Sequence, residues 1–277
     1  MYGYSGKILH IDLKTQKTWI EEKPEEWYKL WIGGVSMATR LCWENITPGC
    51  DPYSPENPVC IANGIFTGTP VPVGGKFGMA DKSPMTGFIG DSLSGSWFSI
   101  ALKRAGWDGI VIHNQSDSWV NVFIDDDHVE FLDATYLLGK GTYETEEAIR
   151  EKLGDEQIRS CTIGPCGEHG VRFANVTNDG RQAGRTGHGS VWASKKLKAL
   201  SVRGTKGVRV YDPQTLMQLS YDISKAAQGE HTAKYRIYGT ATGMKNSSAM
   251  GVLPTRNFQE GVFEDIDLIS GEYLDEH

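Results

Sequence analysis

The chain has 277 residues, with 28 Lys+Arg against 35 Asp+Glu and a formal net charge of −7. Charged residues at 23% and hydrophobic residues at 39% exclude disordered, fibrous and coiled-coil proteins, and the acidic balance argues against non-specific binding to nucleic acid or anionic membranes as the main role. Glycine is abundant, 33 residues or about 12% against an average of about 7%, which predicts many tight turns and close backbone approaches.

Gly6–Asp12 and Thr18–Glu21 read as strands joined by the polar turn Lys14–Lys17, a hairpin that opens the first domain. From Glu25 to Trp43 the apolar positions recur at helical spacing, and Gly33-Gly34 divide them into two helical pieces. The prolines between Pro48 and Pro58 forbid regular structure, and Val59–Ala62 and Phe77–Ala80 are short strands. Ser92–Ala105 reads as a helix with Ser92 as N-cap, Lys103-Arg104 at the favourable end of the dipole and Gly106 as the stop. Strands are predicted at Gly109–His113, Trp119–Ile124, His128–Leu132, Ile158–Ile163 and Val171–Val176, with an amphipathic helix at Thr145–Leu153. Ser190–Leu200 reads as a lysine-bearing helix, followed by strands at Leu200–Val202 and Gly207–Val210. Past Asp212-Pro213 the strands stop and Pro213–Gln228 is helical. This texture predicts an α+β chain: a glycine-rich β-sheet base domain of two packed sheets with a few helices over 1–210, then the first part of a helical domain over 211–277, ending as if truncated.

The longest apolar runs are far too short to cross a bilayer, and Met1–Lys7 has neither the basic nor the apolar region of a secretory signal. Five cysteines at wide spacing fit free thiols in a reducing cytoplasm, each acting as a small buried hydrophobe. The seven histidines show no paired metal spacing, no serine sits in a nucleophile elbow, and the eight tryptophans read mostly as core.

Three segments concentrate glycine, hydroxyls and cations. They are Gly68-Thr-Pro-Val-Pro-Val-Gly-Gly-Lys76, then Lys82-Ser-Pro-Met-Thr-Gly87 running into Gly90-Asp-Ser-Leu-Ser-Gly95, and Asn178-Asp-Gly-Arg-Gln-Ala-Gly-Arg185-Thr-Gly-His-Gly-Ser190. Such loops offer backbone N–H groups to an anion, and Arg181 and Arg185 can each fork a phosphate. The competing reading is a set of β-turns with solvated cations, since no loop has phosphate-loop or dinucleotide spacing.

Together these segments resemble the N-terminal part of the tungsten-dependent aldehyde:ferredoxin oxidoreductase family. The resemblance is carried by Gly3-Tyr-Ser-Gly-Lys-Ile-Leu9, Asp51-Pro-Tyr-Ser-Pro-Glu-Asn57, Gly64-Ile-Phe-Thr-Gly-Thr69 and Lys82–Gly87. It continues through Leu102-Lys-Arg-Ala-Gly-Trp-Asp108, Ile163-Gly-Pro-Cys-Gly-Glu168, Arg181-Gln-Ala-Gly-Arg185, Ser194-Lys-Lys-Leu-Lys-Ala199 and Asn257-Phe-Gln-Glu-Gly-Val262, all in family order. It implies a base for a tungsten (or molybdenum) bis-pyranopterin cofactor, tungstopterin, in a cytoplasmic enzyme that oxidises aldehydes to carboxylic acids. Ferredoxin or an electron-transfer subunit would be the partner, in an oligomer.

By the family pattern, Lys76 supplies a cation near the cofactor phosphates, and Leu93, Ser94 and Gly95 approach a pterin. Arg181, Gln182, Gly184 and Arg185 form the other side of the cradle. The resemblance assigns no catalytic or metal-ligating residue within the 277, and it places the four-iron four-sulfur cluster in sequence beyond them, so this chain alone is not expected to be active. Lys76 stands for a usual arginine, Leu93 for an asparagine, Val35-Ser36 for Arg-Gly, Ser96 for a glycine and His188 for a small apolar residue. These departures, several on the expected cofactor face, keep open an alternative: a non-catalytic scaffold or partner subunit of the same fold that has lost the cofactor.

Overall fold

Period-two patterning builds the strands of the computed structural model, which describes all 277 residues. In β1 (Lys7–Asp12), Ile8 faces one side and Leu9 and Ile11 the other, and the strand forms the expected hairpin with β2 (Lys17–Glu22). Helices α1 (Glu25–Trp31) and α2 (Gly34–Asn45) follow, separated at Ile32-Gly33 close to the predicted hinge. In β3 (Val59–Asn63), Val59 and Ile61 face one core while Cys60 and Ala62 face another. With β4 (Lys76–Lys82), β5 (Ile89–Gly95), α3 (Trp97–Ala105) and β6 (Gly109–His113), a first sheet is complete. Its order is β2-β1-β6-β3-β4-β5, and β1–β6 is its one parallel pair.

The second sheet takes β7 (Val120–Asp125) and β8 (His128–Asp133). After α4 (Thr142–Leu153) come β9 (Arg159–Thr162), the single turn α5 (Pro165–Glu168), β10 (Val176–Asn178), β11 (Arg181–Ala183), α6 (His188–Ser194) and β12 (Leu197–Arg203). The order is β11-β10-β9-β12-β7-β8, with β12–β7 parallel.

One core joins the two sheets. Leu9, Ile61, Met79 and Ile112 come from the first, Val122, Ile124, Leu200 and Val202 from the second, and Phe98 and Leu102 from α3. Each such side chain contributes about 1.5–3 kcal/mol when fully buried. A second cluster lies under α1 and α2 (Tyr28, Met37, Leu41) and a third under α4 (Leu137, Ile149, Ile158). The expected α+β architecture of two packed sheets with a few helices is what the chain adopts.

The chain divides into two compact units, Met1–Leu216 and Met217–His277. Helix α7 (Pro213–Ala226) begins in the last residues of the first. The second also holds α8 (Glu230–Tyr238), α9 (Met244–Ala249) and α10 (Gly271–Glu276). Its buried residues are small (Ser220, Ser248, Thr255, Ser270 and Gly271), and none of its large apolar side chains is buried.

Several expectations are corrected. Ser92 does not cap a helix: it lies inside strand β5, and the N-cap of α3 is Ser96, whose hydroxyl accepts from the Phe98 N–H at 3.1 Å. The lysine-bearing helix over Ser190–Leu200 ends at Ser194, and Lys198 belongs to β12. Residues 171–175 form a turn rather than the start of a strand, and Gly207–Val210 is not a strand. Of the tryptophans, only Trp107 and Trp192 are buried, whereas Trp19, Trp43 and Trp97 are exposed.

Candidate functional site at the meeting of two sheet edges

The edge strand β5 of the first sheet runs beside the edge strand β11 of the second. The antiparallel register of β4 and β5 sets Lys76 opposite Gly95, Phe77 opposite Ser94 and Gly78 opposite Leu93. On the other side, β10 and β11 close through Asp179-Gly180, both with positive φ (44° and 74°), the signature of a tight two-residue hairpin. This turn delivers Arg181 and Gln182 to the same place.

The result is an open cavity of about 430 Å³ lined by Lys76, Leu93, Ser94, Gly95, Arg181 and Gln182, together with Val73 and Gly75. Six of the eight sequence-assigned residues therefore line one concave surface. Gly184 and Arg185 lie outside the lining. The backbone of Arg185 is pinned instead to Ser92, whose hydroxyl donates to the Arg185 carbonyl at 3.1 Å and accepts from its N–H at 3.0 Å. Val73 and Gly75 were not singled out by the sequence reading, although both fall in the first glycine-rich segment. Val73 is 79% exposed at φ +61°, a strained conformation for a β-branched residue.

The chemistry of the lining is one-sided. It carries two cations and no carboxylate, and neither the Lys76 ammonium nor the Arg181 guanidinium forms an ion pair or hydrogen bond within the chain. Glycine is needed where the walls meet. A Cβ on Gly95 would stand 3.2 Å from the Gly75 carbonyl oxygen and 3.5 Å from Lys76 Nζ, so it would fill the space beside the ammonium. Leu93 presents an apolar side chain, 53% exposed, to the same cavity. Behind the wall Asn178 Nδ2 donates to Ser94 Oγ at 3.1 Å, fixing the strand that carries Gly95. Free cations, backbone open to close approach and an apolar wall suit a flat, phosphate-bearing organic molecule.

The departures from the family pattern separate in space. Lys76 and Leu93 line the cavity, but Val35, Ser96 and His188 do not. Val35 lies at the start of α2, packed over Gly78, and Ser96 caps α3. His188 is fully buried, with Nδ1 2.8 Å from Asp81 Oδ2. Lysines 195 and 198, expected on a cationic helix beside the third loop, are buried instead. Lys195 Nζ donates to the Asn114 carbonyl at 3.1 Å, and burial pushes its pKa down to about 8. Lys198 Nζ donates to the Ile163 carbonyl at 2.6 Å and to Glu168 Oε1 at 2.5 Å.

Cys42, Cys50, Cys60 and Cys161 are buried and Cys166 is exposed, all as free thiols. No group of three or more His, Cys, Asp or Glu side chains is placed to hold a metal ion. No helix is long and apolar enough to cross a membrane.

Comparison with known proteins follows the same division of the chain. The sequence model of the aldehyde ferredoxin oxidoreductase N-terminal domain matches residues 8–204, and that of domains 2 and 3 matches residues 214–277. The chain is 43% identical to the tungsten-containing aldehyde ferredoxin oxidoreductase of Thermococcus kodakarensis, over 99% of this chain and 46% of that protein. It is 33% identical to the aliphatic sulfonate oxidoreductase WOR-like subunit of Pyrococcus furiosus, over 94% of this chain and 44% of that protein. Among solved structures, it superposes on the active site complex BamBC of benzoyl coenzyme A reductase, in complex with 1,5-dienoyl-CoA. The TM-score is 0.78 at 28% identity, over 92% of this chain and 36% of that chain. The chain thus spans about half the length of the curated relatives it matches.

Proposed function

The chain belongs to the aldehyde ferredoxin oxidoreductase family, and from that premise we propose that it is the cofactor-binding N-terminal part of a tungsten (or molybdenum) bis-pyranopterin oxidoreductase. Its substrates are aldehydes, oxidised to carboxylic acids, and ferredoxin or an electron-transfer subunit takes the electrons. The observation that carries this reading is the convergence of Lys76, the Ser94-Gly95 backbone and Arg181 on one carboxylate-free cavity.

The cofactor, when bound, supplies the two-electron oxidation chemistry at its metal. The chain's own residues bind and orient it. Lys76 and Arg181 neutralise its phosphates, Arg181 by a planar fork and Lys76 as a point charge. The glycine backbones at 75 and 95 allow close approach, and Leu93 excludes water from one wall. Gly184 and Arg185 follow the lining residues without entering the cavity, and the Arg185 backbone is held in register by Ser92.

Metal analysis of the purified protein, expressed in a host that makes tungstopterin, tests the reading. Stoichiometric tungsten or molybdenum is expected in the wild type. Arg181→Ala should lower loading about tenfold or more, the loss expected for a charged hydrogen bond worth about 1.5–3 kcal/mol, with an unchanged circular dichroism spectrum. A wild-type protein with neither metal would establish the scaffold alternative instead.

A further inference from the structure

The turn that carries Arg181 into the cradle is held from behind by α4. Glu146, 4% exposed, accepts a hydrogen bond from the Asp179 N–H at 3.2 Å. Tyr143, one turn earlier, sets its hydroxyl against Gly180, where a Cβ would lie 3.2 Å away. The Asp179 carboxylate in turn accepts from the Phe98 N–H in the first turn of α3 at 3.1 Å. Two carboxyl groups, those of Glu146 and Asp179, thus converge on the hairpin tip near enough to repel, two residues from the cavity's guanidinium.

We propose that Glu146 is a positioning residue for the cradle: it fixes the Asp179-Gly180 turn that presents Arg181, and its proton couples anion binding in the cavity to pH. The inference rests on the reading of the cavity as an anion cradle. The physical reasons are local. An anion bound at Arg181 adds negative charge beside a carboxyl pair that is already crowded, so protonated Glu146 favours the bound state. By linkage, anion binding then favours protonation to the same extent. Burial and the neighbouring Asp179 charge raise the Glu146 pKa to about 7, so the exchange falls in a biologically relevant range. The other groups facing Glu146 are Arg150 on its own helix and Arg159 and Cys161 on β9. The two arginines favour its ionised form but do not overcome burial.

Calorimetric titration of the 277-residue chain with dimethyl diphosphate, a probe with no ionisation of its own between pH 5.5 and 8.5, tests this. Wild-type affinity should fall about five- to tenfold between those limits, with a midpoint near pH 7. Glu146→Gln keeps an acceptor for the Asp179 N–H and should bind with the low-pH affinity throughout. Glu146→Ala removes that acceptor and should bind several-fold more weakly at every pH. Asp179→Asn keeps an acceptor for Phe98 while removing the repelling charge, and should move the midpoint to lower pH. It also serves if the Glu146 variants fail to fold. A Glu146→Gln protein with the wild-type pH profile, or an Asp179→Asn protein with an unmoved midpoint, overturns the proposal. Arg181→Ala separates the two levels. If it binds the probe as well as wild type, the cradle reading fails and this inference with it. If it loses binding while Glu146→Gln retains the pH profile, the cradle stands and the positioning role falls.

Discussion

Replacing Glu146 by glutamine should stabilise the protein, and only at high pH. The carboxyl group is buried behind the β10–β11 turn, with its pKa raised from 4.5 to about 7 by burial first and by Asp179 second. A carboxyl raised in the folded state holds its proton more tightly there than in the unfolded chain. Stability therefore declines as pH rises from about 4.5 to about 7, and the whole cost is present above that window. At about 1.36 kcal/mol per pH unit the shift corresponds to about 3 kcal/mol, or roughly 2 kcal/mol after allowing for residual solvent contact. Glutamine keeps the acceptor for the Asp179 N–H and never ionises, so Glu146→Gln should match wild type at pH 4.5 and exceed it by about 2–3 kcal/mol at pH 8. Urea unfolding at the two pH values, followed by tryptophan fluorescence, gives the difference. Titrating groups that do not interact with Glu146 are common to both proteins and cancel. An equal stability difference at pH 4.5 and pH 8 would refute the reasoning, because a packing effect carries no such pH dependence.

Lys103→Met should cost about 3–5 kcal/mol in the same assay, because it strips the ammonium that lies 2.6 Å from Asp108 Oδ1 in a pair almost wholly buried. A loss below about 1 kcal/mol would show that the N–H groups of Ser5 and Gly6, which also donate to Asp108, satisfy the carboxylate alone. Gly78→Ala should lower the unfolding midpoint by the equivalent of about 3 kcal/mol, since its Cβ would stand 2.3 Å from Val35 N and push α2 off β4. A wild-type midpoint would mean that α2 shifts freely. In the 277-residue chain, amide exchange should be slow in β3, β6, β7 and β12 and fast across Ala226–Met250, where no large apolar side chain is buried. Uniformly slow exchange over Met217–His277 in a proven monomer would contradict this.

Much of the molecule was legible from residue pattern alone. The β1–β2 hairpin, β3, β6, β7, β8 and α4 follow from short apolar or β-branched runs bounded by turns and, in α4, from helical apolar spacing; β3 and β6 are continuous apolar runs because both of their faces are buried. The three segments rich in glycine, hydroxyls and cations were legible too, but residue pattern alone did not separate an anion site from β-turns with solvated cations. What pattern could not supply was the inverted strand β5. It buries Gly90, Ser92 and Ser94 and exposes Ile89 and Leu93, because the buried hydroxyls are satisfied by Arg185 and Asn178 from the other sheet. β12 misleads in the same way. Lys198 looks like a solvated helix face, yet it is buried because the Ile163 carbonyl and Glu168 replace its water. Asn178-Asp-Gly, a hairpin signal by its residue types, could have located the turn that places Arg181. That Glu146 stands behind this turn, 33 residues away in the chain, is a matter of tertiary packing alone. Local sequence sets which residues prefer water and which backbone shapes are allowed. Only the meeting of two sheets decides which polar groups find partners inside, and so which cations remain free to bind.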